Sequence, residues 1–159
     1  MNSFRVSVMR STENELRDES PVTDDLQLHG LLTRLLGAAR QRQIWLVFFD
    51  EQSRLLDPIM PMSDHPYDPE VLHETEDLGL VSFPEMFVHR ARQIAEMVNA
   101  VSFALIWERP GGEKYTHDDL DWARAFIDRA GDRSDLATLR ALFLLHDHGL
   151  RQVVPDDYL

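Results

Sequence analysis

The sequence predicts a mixed α/β protein in which helices flank one central β-sheet, and three observations lead to this fold class. Short apolar runs of strand length alternate with longer segments whose apolar residues recur at helical spacing. Several helical segments begin at a side chain able to cap a helix and end at a glycine. The length of 159 residues suits one domain with its own core. We therefore expect a single α+β sandwich around a mixed sheet.

The N-terminal residues 1–23 are polar and acidic, and we interpret them as a flexible tail that precedes a single domain over residues 24–159. Phe4, Val6 and Val8 alternate with polar residues. This alternation leaves open a short strand added to the sheet.

The first half of the domain is predicted to form a helix and two strands. Thr23 or Asp24 can cap the helix, and Gly37 is expected to end it. Residues 44–49 are apolar throughout and predict a strand. Residues 55–60 predict a second strand, and because prolines interrupt it we expect it at the sheet edge.

The middle of the chain contains a long acidic stretch and then a helix and a strand. We expect residues 63–79 to form a loop, with a helical turn at 69–74 as an option. Ser82 is suited to cap the following helix, which has Pro84 in its first turn. Residues 103–107 are apolar throughout, which predicts a central strand over residues 102–107.

The last part of the chain holds one more clear helix. Thr116 and Asp119 form a capping-box pattern at its start, and Gly131 is expected to end it. Residues 136–145 fit a helix or a strand equally well, and residues 150–154 predict a final short strand.

Composition excludes several function classes. The formal charge of −12 opposes binding to a phosphate backbone, because that affinity comes from lysine and arginine. The chain has no cysteine, which excludes disulfides, thiolate nucleophiles and cysteine zinc sites. It contains neither a signal-peptide pattern nor an apolar run of about 20 residues. We expect a cytoplasmic protein that does not associate with membranes or nucleic acid.

Six segments together resemble the JAB/MPN metalloprotease fold, most of all its bacterial RadC-like, DNA-repair-associated form. The resemblance covers roughly residues 40–159. In chain order the segments read LVFFDEQSRLL, VSFPEMFVHRARQIAEMVNA, VSFALIW, ERPGG, THDDLDWARAFIDRAG and LLHDHG. The resemblance implies a JAB/MPN-like sheet, with a functional loop after the central strand.

In active members of that family a His-x-His-Pro motif and a later aspartate bind zinc, a serine lies at the start of the next helix, and an upstream glutamate acts as general base. In this sequence Trp107 and Arg109 stand at the histidine positions, before the matching Pro110. Thr116 stands near the serine and Asp119 at the aspartate. The glutamate position falls near Arg42 or Gln43, and Gly112 matches the loop glycine.

These replacements remove the chemistry of the site. An indole offers only an N–H donor, and a guanidinium stays protonated without a lone pair to give, so neither can ligate a cation. We therefore expect no metal and no cofactor at this position. The resemblance then implies a catalytically inactive scaffold that binds a protein partner or associates with itself.

Two interpretations of Arg109 remain open. Its guanidinium can replace the charge of the metal by pairing with Asp119. In the simpler interpretation, which we favour, Asp119 only completes the capping box of Thr116 and Arg109 lies in solvent.

An alternative to the scaffold is a metal-dependent hydrolase with a displaced site. His146 and His148 are two residues apart, so on a strand both imidazoles would lie on one face, with Asp119 as a further ligand. We favour the interpretation of these histidines as turn and core residues.

Overall fold

A computed structural model of the chain describes residues 5–6, 20–131, 133 and 135–158. Within these residues it contains eight strands and four helices. The strands are β1 (Arg5–Val6), β2 (Gln43–Phe49), β3 (Leu55–Ser63), β4 (Leu72–Thr75), β5 (Gly79–Ser82), β6 (Ser102–Glu108), β7 (Thr138–His146) and β8 (Gly149–Val153). The helices are α1 (Asp25–Leu36), α2 (Phe83–Val98), α3 (His117–Ala130) and α4 (Pro155–Tyr158).

Six strands form the central sheet in the order β1-β3-β2-β6-β7-β8, and β4 and β5 form a separate hairpin. Only β6 and β7 are parallel in this sheet, and α3 makes the crossover that a parallel pair requires. The other neighbours are antiparallel. The predicted mixed sheet with flanking helices is therefore confirmed.

Helices cover both faces of the sheet. Along β2, Ile44, Leu46 and Phe48 pack into the core that contains α2 and α3. The alternate residues of β2 pack into a second core with the leucines of α1. Burial on both faces is why residues 44–49 of β2 and 103–107 of β6 are apolar throughout. Among the described helices, none is long and apolar enough to span a bilayer.

The expected helix caps form. Asp24 accepts from the Gln27 amide in a capping box, Ser82 accepts from the Glu85 amide, and Thr116 and Asp119 form the second box. Helices α1 and α3 end at glycines with positive φ, as predicted.

The acidic stretch was wrongly predicted as a loop with an optional helical turn, because it contains the hairpin β4–β5. The Thr75 hydroxyl donates to the Gly79 carbonyl and accepts from the Leu78 amide, which closes the turn. Gly79 supplies the positive φ of 72° that the turn needs. The buried Val81 then ties the hairpin to the core on the α2 side of the sheet.

Strands β7 and β3 complete the comparison with the predicted elements. Strand β7 is a strand, paired with β6 from Thr138 to Leu145 with one register shift and buried on both faces from Ala141 onward. Strand β3 runs without a break despite its prolines, and β1 pairs only with Met62 and Ser63, beyond the residues 55–60 that were predicted to lie at the edge.

The structure describes only part of the N-terminal segment. Residues 5–6 form the short added strand, whereas Phe4 and Val8 lie outside the described residues. Val22 is buried, and its amide donates to the Ser53 carbonyl at 2.8 Å. The folded unit thus begins before Asp24, and the expected flexibility of the rest of the tail concerns residues that the structure does not describe.

Candidate functional site

The site predicted from the sequence lies where the central strand β6 ends and the loop to α3 begins. Trp107 faces the core on the α2 and α3 side, and Arg109 follows it on the same side. The exposed Pro110 starts the loop, and Thr116 ends it as the cap of α3. Asp119, in the first turn of α3, faces back toward the strand end.

Arg109 and Asp119 form a buried ion pair. Arg109 is 9% exposed and Asp119 5%. The Arg109 Nη2 lies 2.8 Å from Asp119 Oδ2, and its Nε lies 3.2 Å from both carboxylate oxygens. The favoured interpretation, in which Arg109 lies in solvent, is wrong. The strand end directs the guanidinium inward, where its charge needs a partner.

Two further donors complete the coordination of Asp119. The Trp107 indole Nε1 donates to Oδ1 at 2.8 Å, and the Thr116 amide donates to Oδ2 at 2.8 Å. Asp119 therefore both closes the capping box and neutralises Arg109. Burial raises the pKa of Asp119, but the bonds from Arg109, Thr116 and Trp107 outweigh it and hold that pKa below its usual range.

Arg109 also shapes the loop that follows it. Its Nη1 donates to the Gly112 carbonyl at 2.6 Å, and its Nη2 donates to the Lys114 carbonyl at 2.9 Å. Gly111 has a φ of 121°, and a Cβ there would lie 3.1 Å from Arg109 Nη1. The glycine is thus required for the loop to wrap around the guanidinium.

A second cation, Arg42, lies on the other side of Trp107. Its guanidinium carbon is 5.3 Å from the centre of the Trp107 ring and 4.3 Å from that of Tyr67. It also pairs with Asp118 at 3.9 Å. Burial lowers the pKa of Arg42, and burial raises that of Asp118, although Arg42 opposes the rise.

His65 fills the space above the two tryptophans. Its ring centre is 4.8 Å from that of Trp107, 5.3 Å from that of Trp122 and 6.1 Å from that of Phe83. The residue is 5% exposed, and neither ring nitrogen has a hydrogen-bond partner within the described part of the chain. Burial, assisted by Arg42, lowers the pKa of His65 to about 3, so the imidazole is neutral at physiological pH.

Hydrogen bonds hold the backbone around His65 against the aromatic cluster that His65 forms with Phe83, Trp107 and Trp122. Arg42 donates to the carbonyls of His65 and Pro66 at 2.8 and 2.9 Å. The Trp122 indole donates to the Tyr67 carbonyl at 3.0 Å. Asp64 adopts a left-handed φ of 66°, which turns the chain inward. We call residues 64–67 the strap.

Glu108 points to the opposite face of β6 and is almost fully buried. Its Oε1 accepts from the Trp45 indole at 2.6 Å and from the Gln43 amide group at 2.8 Å. Its Oε2 accepts from the backbone amides of Arg40 and Gln41 at 2.6 and 3.0 Å. Both oxygens are used to hold the α1–β2 connection against the sheet.

The predicted histidine pair lies at the turn between β7 and β8. The two ring centres are 6.3 Å apart, and Nδ1 of His146 accepts from the His148 backbone amide at 3.1 Å. Burial lowers the pKa of His146. Among the described residues no group of three histidine, aspartate, glutamate or cysteine side chains is arranged to hold a metal. Asp119, their expected co-ligand, is already coordinated by Arg109, Trp107 and Thr116.

The structure brings Trp107, Arg109 and Thr116 into hydrogen-bond contact with Asp119. Sequence reasoning missed His65 and Glu108. Glu108 carried a signal, since an acidic residue directly after a buried central strand must find donors. His65 carried none, because it lies within an acidic stretch that predicted a solvated loop.

No protein-family model matches this chain, and neither a curated protein nor a solved structure matches it. The fold and the site define a mixed α/β protein whose central strand ends in a closed arginine–aspartate–tryptophan network. Its carboxylate oxygens are occupied by N–H donors, so this network stabilises the loop and leaves Asp119 without a free lone pair for a metal.

Proposed function

We propose that this chain is a catalytically inactive RadC-like member of the JAB/MPN fold family and acts as a scaffold or protein-interaction module. The observation that carries the proposal is the Arg109–Asp119 pair. In this proposal Arg109 stands at a metal-binding position of the family, and its guanidinium neutralises the aspartate that would otherwise bind the metal.

The order of elements supports the same proposal. The pair β2–β3, the helix α2, the central strand β6, a loop with proline and glycine, and the capped helix α3 occur in the order that the resemblance implies, with the additional hairpin β4–β5 before α2. This support is an analogy at the level of the fold, so the function depends on the site residues.

Metal binding tests the proposal. Wild-type protein dialysed against Zn²⁺ is expected to retain no stoichiometric metal. The variant with Trp107→His and Arg109→His restores two imidazoles beside Asp119 and is expected to gain a zinc site, which adding Asp119→Asn should weaken about 10- to 100-fold or more. Thermal unfolding of each variant establishes that it is folded.

Two results of the metal-binding experiment would count against the proposal. Stoichiometric zinc in the wild-type protein that disappears in His146→Ala or His148→Ala would contradict the scaffold proposal. It would favour the displaced-site hydrolase instead. A folded double-histidine variant that gains no zinc would contradict the placement of Trp107 and Arg109 at the family's ligand positions.

A further inference from the structure

The hairpin β4–β5 carries an apolar outer face. Leu72 is 58% exposed and Leu80 66%, whereas Val81 on the opposite face of the hairpin is 5% exposed and packs into the core. A surface hairpin normally places polar residues on its solvent side. Burial in the core therefore does not account for leucine at either position.

The strand register places both leucines on the same face. Leu72 pairs with Ser82, and Glu74 pairs with Leu80, so these four residues share one side of the hairpin. Leu72 and Leu80 are diagonal neighbours, a relation in which the positions lie about 7–8 Å apart. We call Leu72, Glu74 and Leu80 the hairpin face.

The surroundings of this face are strongly acidic. Residues 64–82 contain six aspartates and glutamates and no lysine or arginine. Their formal charge, 0 − 6 = −6, is half of the −12 of the whole chain. Glu74 lies on the hairpin face itself. Glu70 precedes β4 by two residues and Glu76 directly follows it, and both are exposed.

Contacts within the chain hold the hairpin in place at several points without a partner. Asp77 in its turn receives two hydrogen bonds of 2.7 Å from Arg90 of α2. The strap that precedes it is fastened by Arg42 and Trp122. A surface that is already ordered loses little conformational entropy on binding, which favours its use as a docking platform.

We infer that the hairpin face binds a basic segment of another protein that presents apolar side chains between its lysines or arginines. Apolar side chains of the partner would cover Leu72 and Leu80, and its cations would meet Glu70, Glu74 and Glu76. This inference rests on the proposed function, because it assigns the interaction surface of the scaffold.

Charge selects this occupant over a second copy of the chain. Two copies meeting through the same face would bring Glu70, Glu74 and Glu76 against the same carboxylates of the other copy, and like charges opposed across an interface destabilise it. A membrane surface rich in anionic lipid is repelled for the same reason.

The test uses a short fluorescent peptide of alternating leucine and lysine, with serine–lysine and leucine–glutamate peptides of equal length for comparison. The leucine–lysine peptide is expected to bind the wild-type protein more tightly than either of the others. The Leu72→Ser, Leu80→Ser double variant should weaken this binding about tenfold or more, which corresponds to losing the contacts of two apolar side chains.

A matched control removes apolar surface elsewhere. Leu26 and Met97 are also highly exposed, on α1 and α2, and the Leu26→Ser, Met97→Ser double variant should leave the affinity unchanged. Changing Glu70, Glu74 and Glu76 to glutamine should weaken binding and reduce its dependence on salt.

Three results would overturn the inference. The serine–lysine peptide could bind as tightly as the leucine–lysine peptide, or the Leu72→Ser, Leu80→Ser variant could bind like wild type; either result would show attraction by charge alone. Sedimentation could reveal a wild-type dimer that this variant abolishes, which would make the occupant a second copy. None of these results alters the metal analysis, so the scaffold proposal is tested separately.

Discussion

At the scale of single residues, Arg109 has the largest influence on the candidate site. It neutralises Asp119, holds two carbonyls of the loop and requires a glycine at position 111. A buried ion pair need not stabilise a fold relative to apolar residues, yet removal of one partner leaves the other charge buried alone. A single substitution of either Arg109 or Asp119 is therefore expected to destabilise the fold.

Arg109→Met is expected to destabilise the protein by about 3–5 kcal/mol, because it leaves the Asp119 carboxylate without its cation. Equilibrium unfolding in urea measures this change. Adding Asp119→Asn should recover part of the loss, since a neutral amide needs less compensation. Arg90→Met breaks the exposed pair with Asp77 and serves as control, with a much smaller change expected. An equal effect of both variants would show that burial of the pair does not matter.

At the scale of elements, the strap joins the hairpin β4–β5 to the aromatic cluster. The neutral His65 ring contacts both tryptophans, and Arg42 binds the strap from the side. Because neither ring nitrogen has a partner within the described residues, protonation of His65 would bury an uncompensated charge beside Arg42. The anchoring of the hairpin therefore depends on pH.

The pKa of His65 is about 3 in the folded protein and 6.5 in its ordinary state. Between these values the unfolded chain binds more protons, so stability is fully present above pH 6.5 and falls as the pH drops toward 3. The loss has a slope of up to about 1.4 kcal/mol per pH unit. His65→Leu should remove this part of the acid dependence and leave stability at pH 7 equal or higher.

Urea unfolding at a series of pH values measures this effect as the difference between wild type and variant. His89→Leu changes an exposed histidine on α2 and should keep the wild-type profile. Parallel profiles for wild type and His65→Leu would mean that His65 does not titrate as a buried group.

At the scale of the whole molecule, the fold protects one edge of the sheet. Half of the net negative charge lies in residues 64–82. On the edge strand β8 the Leu150 carbonyl is bonded to the His29 ring at 2.7 Å, and the Gln152 carbonyl accepts from the Tyr115 hydroxyl at 3.1 Å. These side chains come from α1 and from the loop before α3. They make strand addition at β8 less favourable.

The net charge of −12 should make the folded protein sensitive to ionic strength. Self-repulsion destabilises a compact, highly charged state, and salt screens it. The Tm is expected to rise by a few degrees between about 0.02 M and about 0.5 M NaCl. The rise should be smaller when Glu70, Glu74 and Glu76 are changed to glutamine. A Tm that falls with salt would indicate that attractive ion pairs outweigh the repulsion.

Much of the fold could be predicted because the elements are specified locally. The caps at Asp24, Ser82 and Thr116 and the helix-ending Gly37 and Gly131 are short-range signals, and each one is present in the structure. The strand β7 could not be assigned by pattern, because a run buried on both faces has no alternation. The hairpin β4–β5 was not predicted, because its acidic residues suggested a solvated loop and its outer face carries leucines where a surface strand normally has polar residues.

The candidate residues could be named from the sequence, but their contacts could not. The resemblance grouped Trp107, Arg109, Thr116 and Asp119, and the lack of lone pairs argued against a metal at the first two. Whether Arg109 turns to solvent or to Asp119 depends on the direction in which β6 ends relative to α3. That direction follows from packing of the whole sheet.

The sequence by itself determined the mixed α/β class, most helix boundaries and the absence of metal-ligating side chains at positions 107 and 109, because these depend on residue chemistry and short-range periodicity. Only the tertiary structure decided the Arg109–Asp119 pair, the unpartnered His65 above two tryptophans and the exposed leucines of the hairpin. Each of these joins residues distant in the chain, and their burial and pairing are set by packing that no local pattern encodes.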